Sequence, residues 1–337
     1  MRTGIDILEN EIVEQYSDVL EILMLDRTTQ KYIFWATHNY EHLGQDYRYN
    51  AQILPSLITG DKGNIIMPRV HKDKFLQHSR SKEMAEIFTP SWICNAQNNL
   101  IDNAWFGRNN VFNSEIHLDN GSYKWEVNYE KISFPKGKTW RDYISDKCLE
   151  MACGEAPYIT SRYDSTTGEF IPVKNRIGIL DRKIRVINEN VDSSSEWLKA
   201  VQTAYKNTYA FEWQGDSLLL AREAMLATFI ENYTIKFDKE PLLKSVDYIA
   251  YIISWNVWQM DGLKGVIPSS CGPTVIRKMN LFGEDETESF FCEGCLNNDI
   301  QKHSGLYCLI KDWSKKDLKT GKTGRKIKFI DLIKNKI

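Results

Sequence analysis

The chain has 337 residues, enough for one large domain with appendages. Lys and Arg total 43 against 45 Asp and Glu, for a net charge of -2, and 42% of residues are hydrophobic, as in an ordinary globular protein. That balance argues against a dominant polyanion-binding surface but leaves room for a local basic patch.

Met1 to Gln15 carries scattered acids and no apolar run, so no signal peptide is expected. No stretch reaches the ~18 apolar residues of a membrane span, and no membrane partner is expected. The seven cysteines are odd in number and crowd toward one end. They read as thiols and metal ligands in a reducing cytoplasm, not as a disulfide framework.

In chain order, Ile5 to Leu25 carries apolar residues at helical spacing (Leu8, Ile12, Tyr16, Val19, Ile22, Leu23) and predicts a helix. Lys31 to Thr37 is β-branched and aromatic and predicts a strand. A basic stretch follows from Arg69 to Lys82, then Phe88-Thr89-Pro90 and a helical run to about Leu100, with Ser91 as a candidate cap. Helix is predicted for Trp140 to Leu149, strand for Arg176 to Leu180, and a helix start at Lys183 to Glu189. Glu196 to Tyr205 reads as helix, Tyr209 to Trp213 as strand and Leu218 to Tyr233 as a strong helix. This alternation predicts an α/β fold with a mainly parallel sheet. Composition shifts near residue 281, where an acidic turn leads into a Cys-rich segment and a Lys-rich tail. The expected division is an extension over 1–80, a main domain over 81–280, and a metal-binding segment with a basic tail over 281–337.

Leu149 to Tyr158 (LEMACGEAPY) places small residues where a strand would turn into a helix, letting backbone approach a ligand. This segment resembles the D-P-A-C-G-T-G-x-F motif of adenine-N6 DNA methyltransferases. Glu150 stands for the Asp, Ala152, Cys153 and Gly154 match, and Tyr158 replaces the Phe, whereas Met151, Glu155, Ala156 and Pro157 depart. Three further segments follow that family's order. Phe88, Thr89 and Pro90 resemble the F-x-T-P element over the methionine end of the cofactor. Ile177 to Asp181 resembles the second strand, whose acid, here Asp181, would accept from ribose hydroxyls. Gln214 to Leu218 resembles the third motif, with Asp216 accepting from the adenine amino group. The resemblance spans about residues 69 to 235. It implies a Rossmann-like class I sheet that binds S-adenosylmethionine.

The family holds its target adenine with N-P-P-Y or a close variant, and this chain has no N-P-P-Y. Two segments stand in its place. In Ser254 to Gln259, Asn256 is a candidate acceptor and Trp258 a candidate stacking ring, although the same residues fit the spacing of a buried helix. Lys328 to Asn335 instead resembles the strand that precedes N-P-P-Y.

Cys292 and Cys295 form a C-x2-C, followed by His303 and Cys308. Three thiolates and an imidazole suit a closed, structural zinc site, with Cys271 as a substitute ligand. The Lys-rich tail is either a phosphate contact or a solvated end. The reading is a DNA adenine-N6 methyltransferase of a restriction-modification system, with DNA as substrate and a specificity or nuclease subunit as partner. Two alternatives stand beside it: a non-catalytic cofactor-binding, zinc-containing DNA-binding subunit that works with a partner, and methyl transfer to RNA or another substrate.

Overall fold

The structure, a computed structural model, describes residues 4–72, 89–119, 121, 123–279 and 285–333. Phe88 and the basic stretch beyond Lys72 lie outside these residues, as do Lys334 and Asn335.

The chain opens with two short helices, α1 (Glu9–Gln15) and α2 (Val19–Met24), where the spacing predicts one. They break at Tyr16, whose extended backbone (φ -144°, ψ 81°) ends the first helix. A two-stranded ribbon, β1 (Leu25–Asp26) with β2 (Lys31–Tyr32), follows. The predicted strand over Lys31 to Thr37 is shorter in the structure: it ends at Tyr32, Phe34 adds an isolated bridge to Gln52, and Ala36 takes a left-handed backbone (φ 50°).

α3 (Ser91–Phe106) starts directly after Pro90, whose fixed φ suits a helix entry, and Ser91 lies inside the helix without capping it. The hairpin β3 (Asn113–His117) with β4 (Tyr123–Val127) is antiparallel. Thr139 caps α4 (Trp140–Ser145) through a capping box with Asp142.

The centre of the molecule is a three-stranded parallel sheet in the order β5 (Cys148–Met151), β6 (Thr208–Glu212), β7 (Val257–Gln259). Its crossovers are helical: α5 (Ile179–Asn190) and α6 (Ser194–Lys206) between the first two strands, α7 (Gly215–Phe237) and α8 (Leu243–Asn256) between the last two. The fold is therefore mixed α/β around a small parallel sheet. Arg176 to Leu180 is not the predicted second strand: residues 173–175 form a 3-10 turn and α5 begins at Ile179. Gly178 is required there, since a Cβ would sit 2.3 Å from the Ile159 carbonyl oxygen.

α7 is buried along most of its length, as a helix in the middle of a core must be. Its first residue, Gly215, admits no side chain, because a Cβ would lie 2.1 Å from the Phe34 carbonyl oxygen. The Arg222 guanidinium, fully buried, donates to the Val257 carbonyl at 2.8 and 2.6 Å and to those of Leu23 and Leu25, tying α7 to the end of α2 and the start of β7. One continuous core runs from Ile7 through α7 and α8 to Trp313.

Beyond the sheet lie the hairpin β8 (Thr274–Met279) with β9 (Asp285–Phe290), the short helix α9 (Glu293–Asn297), and the hairpin β10 (Leu309–Lys316) with β11 (Thr323–Lys328). No helix of the described residues is long and apolar enough to cross a membrane.

Candidate functional site

Two places gather chemistry: the carboxyl edge of the parallel sheet and a cysteine-histidine knuckle beyond it.

At the carboxyl edge, β5 runs into a loop in which Ala152, Gly154 and Ala156 all have left-handed backbone (φ 51°, 53° and 58°). Such a conformation costs energy in an alanine and persists only where the surroundings hold it. Here the Cys153 amide donates to the Phe211 carbonyl (3.0 Å) and the Gly154 amide to Glu212 Oε2 (2.8 Å), so the end of β6 fixes the loop. Space lies open beside Gly154, where an added Cβ would meet nothing within 4 Å.

Glu212 ends β6 and is 7% exposed; its other oxygen accepts the Gln214 amide at 3.2 Å. Burial pushes its carboxyl up, while the amides of Gly154, Gln214 and Trp213 pull it down. Glu150 on β5 keeps one buried oxygen without a hydrogen-bond partner among the described residues, and burial together with the Glu212 charge pushes its carboxyl up to about 8. Beyond β7, Asp261 accepts the amides of Leu263 (3.1 Å) and Lys264 (3.2 Å) and pairs with Lys264 Nζ at 3.4 Å. Three successive parallel strands thus deliver a loop with open space and two carboxylates to one edge, where open α/β sheets bind ligands.

Thr89 and Pro90 come to this region. The Thr89 carbonyl accepts from Ser165 Oγ (2.9 Å), and the Ser91 amide donates to Asp164 Oδ2 (2.7 Å) in the segment that follows the Ala152–Ala156 loop.

Two acids occupy other places than expected. Asp181 is in the first turn of α5, not at a strand end, and its Oδ2 accepts from Ser161 N (2.8 Å), Ser161 Oγ (3.1 Å) and Gly178 N (3.2 Å). Those bonds close a helix entry and leave that oxygen no room for a ribose. Asp216 is in the first turn of α7, fully buried, and accepts from Tyr40 Oη (2.8 Å) and Lys72 Nζ (3.4 Å). The sheet edge presents Glu212 and Asp261 instead. Both were legible only as the last acid of "YAFE" and the acid after "VWQM", which need strand assignments to stand out.

Asn256 and Trp258, the candidate acceptor and stacking ring, are both buried. Asn256 is fully buried at the end of α8: its Nδ2 donates to the carbonyls of Tyr205 (2.9 Å) and Thr208 (3.1 Å), and its Oδ1 accepts from Trp313 Nε1 (2.7 Å). Trp258 is 2% exposed and packs on Phe211 and Phe329. Neither is free to hold a base.

In the second place, Cys271, Cys292, Cys295 and His303 point one atom each toward a common centre, all within 4.8 Å of one another. Cys271 Sγ lies 3.3 Å from Cys292 Sγ and 3.6 Å from Cys295 Sγ, and His303 Nδ1 lies 3.6 Å from each of the three sulfurs. A tetrahedral ion with metal–sulfur bonds of ~2.3 Å and a metal–nitrogen bond of ~2.0 Å requires edges of about 3.5–3.8 Å, so the four atoms suit one metal ion. The β8–β9 hairpin explains the long reach: Thr274 pairs with Phe290, which sets Cys271 beside Cys292 at the hairpin base. Gly294 lets the knuckle fold tightly, since a Cβ would meet the His303 amide nitrogen at 2.6 Å. Burial pushes the Cys292 thiol up, but the bond from the Ser304 amide (3.2 Å) and neighbouring donors outweigh it and hold the group down to about 5.

The fourth member of the cluster is therefore Cys271, not Cys308. Cys308 is fully buried against β7, its thiol directed at the Gln259 carbonyl (3.4 Å) among Phe211, Trp258 and Ile310. The pairing of Val266 with Tyr307 carries the chain from the knuckle into the β10 hairpin and takes Cys308 with it.

No family model, no curated protein and no solved structure matches this chain.

Proposed function

We propose that the chain binds S-adenosylmethionine at the carboxyl edge of a Rossmann-like sheet and forms the cofactor-binding body of a DNA adenine-N6 methyltransferase of restriction-modification type. One observation carries this reading: the left-handed loop after β5 and the Glu212 carboxylate at the end of β6 meet through the Gly154 amide. A cofactor with a ribose and an adenine needs such a pair, a loop that its chain can approach and an acid that accepts from hydroxyls. The open space beside Gly154 and the unpartnered oxygen of Glu150 fit a group that donates hydrogen bonds.

S-adenosylmethionine, when bound, supplies an electrophilic methyl group. The chain's own work would be positioning. Glu212 accepts from the ribose, Asp261 stands at the next strand end, and the Ala152–Ala156 loop receives the methionine portion, with Thr89 and Pro90 beside it. Orientation of this kind accounts for much of the acceleration in a direct displacement. The burial of Asn256 and Trp258 favours a form of this reading in which the groups holding the target base come from outside the described residues or from a partner chain. The Cys271, Cys292, Cys295 and His303 knuckle would hold zinc, and four protein ligands leave no open position for catalysis.

Calorimetric titration with S-adenosylmethionine tests the cofactor reading. Wild type should bind saturably at one site. Glu212→Gln should bind at least about tenfold more weakly, the scale of one lost charge-assisted hydrogen bond. No heat from folded wild type, or equal affinity in the variant, would overturn it.

A further inference from the structure

On the antiparallel β10–β11 hairpin, Lys311 stands directly opposite Lys326. Like charges at such positions repel and weaken a hairpin unless something offsets them. Both ammonium groups lie over the Trp255 ring, at 5.0 and 5.3 Å from its centroid, and the Arg27 guanidinium approaches the same ring at 5.9 Å. Three cations thus converge on one indole.

The neighbouring carboxylates are already engaged. Asp26 accepts from the amides of Thr28 and Thr29 and from the Thr29 hydroxyl. Asp312 is held by Ser314 and Lys315, and Asp317 by the amides of Lys319 and Thr320. Lys311 Nζ donates to Tyr251 Oη (2.5 Å) and Arg27 Nε to Ser254 Oγ (2.8 Å), and the ring faces attract each cation, but none of these groups carries a compensating negative charge. Lys311 is only 9% exposed, so water screens it poorly. The Trp255 indole N–H is buried and has no hydrogen-bond acceptor among the described residues. A buried donor without a partner is costly and rare. Three cations gathered on one ring, with Arg27 half-buried and Lys326 exposed, suit an anion that carries several acceptor oxygens.

The array is longer than one small anion. Tyr248, Tyr251 and Trp255 follow one face of α8, Tyr248 and Tyr251 stacked with centroids 6.0 Å apart. Lys206 extends the cations to the far end, over Tyr248 at 5.1 Å and Trp313 at 5.4 Å. Seven residues of helix rise about 10 Å. That is about three nucleotide steps of a DNA strand at ~3.4 Å each. Asn256 holds this surface in place, since its Oδ1 fixes the Trp313 indole.

We propose that this face, built from Arg27, Lys206, Lys311 and Lys326 around Tyr251 and Trp255, binds the phosphodiester backbone of DNA. It lies at the amino-terminal ends of β6 and β7, away from the cofactor edge, and the inference does not rest on the cofactor reading. The contacts are with phosphates and carry no sequence information.

The test is fluorescence anisotropy of a short labelled DNA duplex of arbitrary sequence, across a salt series and without S-adenosylmethionine. Wild type should bind, with log K falling linearly against log salt. The Lys311→Gln/Lys326→Gln double variant should lose roughly two units of that slope, and Lys206→Gln roughly one, with the folded state retained by circular dichroism and the metal content unchanged. Equal slopes in wild type and both variants would overturn the proposal. So would wild type that is stabilised by inorganic phosphate in a thermal melt but does not bind the duplex, because the site would then take a small free anion.

Discussion

At the residue scale, the knuckle shows how a ligand set is chosen by backbone reach. Cys292, Cys295 and His303 stand close in sequence, and a C-x2-C announces itself. Cys271 is joined to them only through a hairpin whose register sets Thr274 against Phe290, and sequence distance hides that contact. Cys308 has the nearer spacing but the wrong environment, an apolar pocket beside β7 that pushes its thiol well up. Zinc analysis of purified variants distinguishes the two. Cys271→Ser should lose the bound ion or weaken it at least tenfold, while Cys308→Ser should keep one ion per chain even if its Tm falls. Metal retained in Cys271→Ser and lost in Cys308→Ser would reverse the assignment. Lowering the pH should release the ion from wild type, since ligation needs thiolates and a neutral imidazole.

At the scale of elements, α8 and its neighbours are joined by polar bonds inside an apolar core. Asn256 ties the end of α8 to the carbonyls of Tyr205 and Thr208 and to the Trp313 indole, so one side chain holds α6, β6 and β10 together. Its position in a helical apolar pattern was visible in the sequence, which is why the spacing of Ile249, Ile252, Ile253 and Asn256 suits a buried helix as well as a catalytic loop. Only the tertiary partners decide between them. Asn256→Ala should therefore cost about 3 kcal/mol in chemical denaturation, because it strands two carbonyls and an indole N–H at once. Affinity for S-adenosylmethionine should stay near wild type. A large loss of affinity with unchanged stability would return Asn256 to the site.

For the whole molecule, the packing of α1 against α7 sets a pH response. Glu9 and Glu223, each 1% exposed, lie close enough to repel, and both Glu223 oxygens lack hydrogen-bond partners among the described residues. Burial, with the Asp6 charge adding, pushes Glu9 up to about 8, and burial and the Glu9 charge push Glu223 well up. The folded protein thus binds protons that the unfolded chain, with carboxyls near 4.5, releases. Stability from this pair is full below about pH 4.5 and is lost as pH rises through about 8. Wild-type Tm should fall across that window, and Glu223→Gln should flatten the fall; an identical pH profile in the variant would contradict it. The sequence by itself determined the strongest local patterns. It showed the helix through Leu218 to Tyr233, the strand at Tyr209 to Trp213 and the C-x2-C, because each is written in consecutive or helically spaced residues. It also placed the small-residue turn after Leu149 that lies at the carboxyl edge of the sheet. Tertiary structure alone decided which acid ends which strand, that Asp181 caps a helix, that Cys271 completes the knuckle, and that Lys311 and Lys326 face each other over Trp255. Those outcomes depend on strand register and long-range packing, and residues far apart in the chain set both.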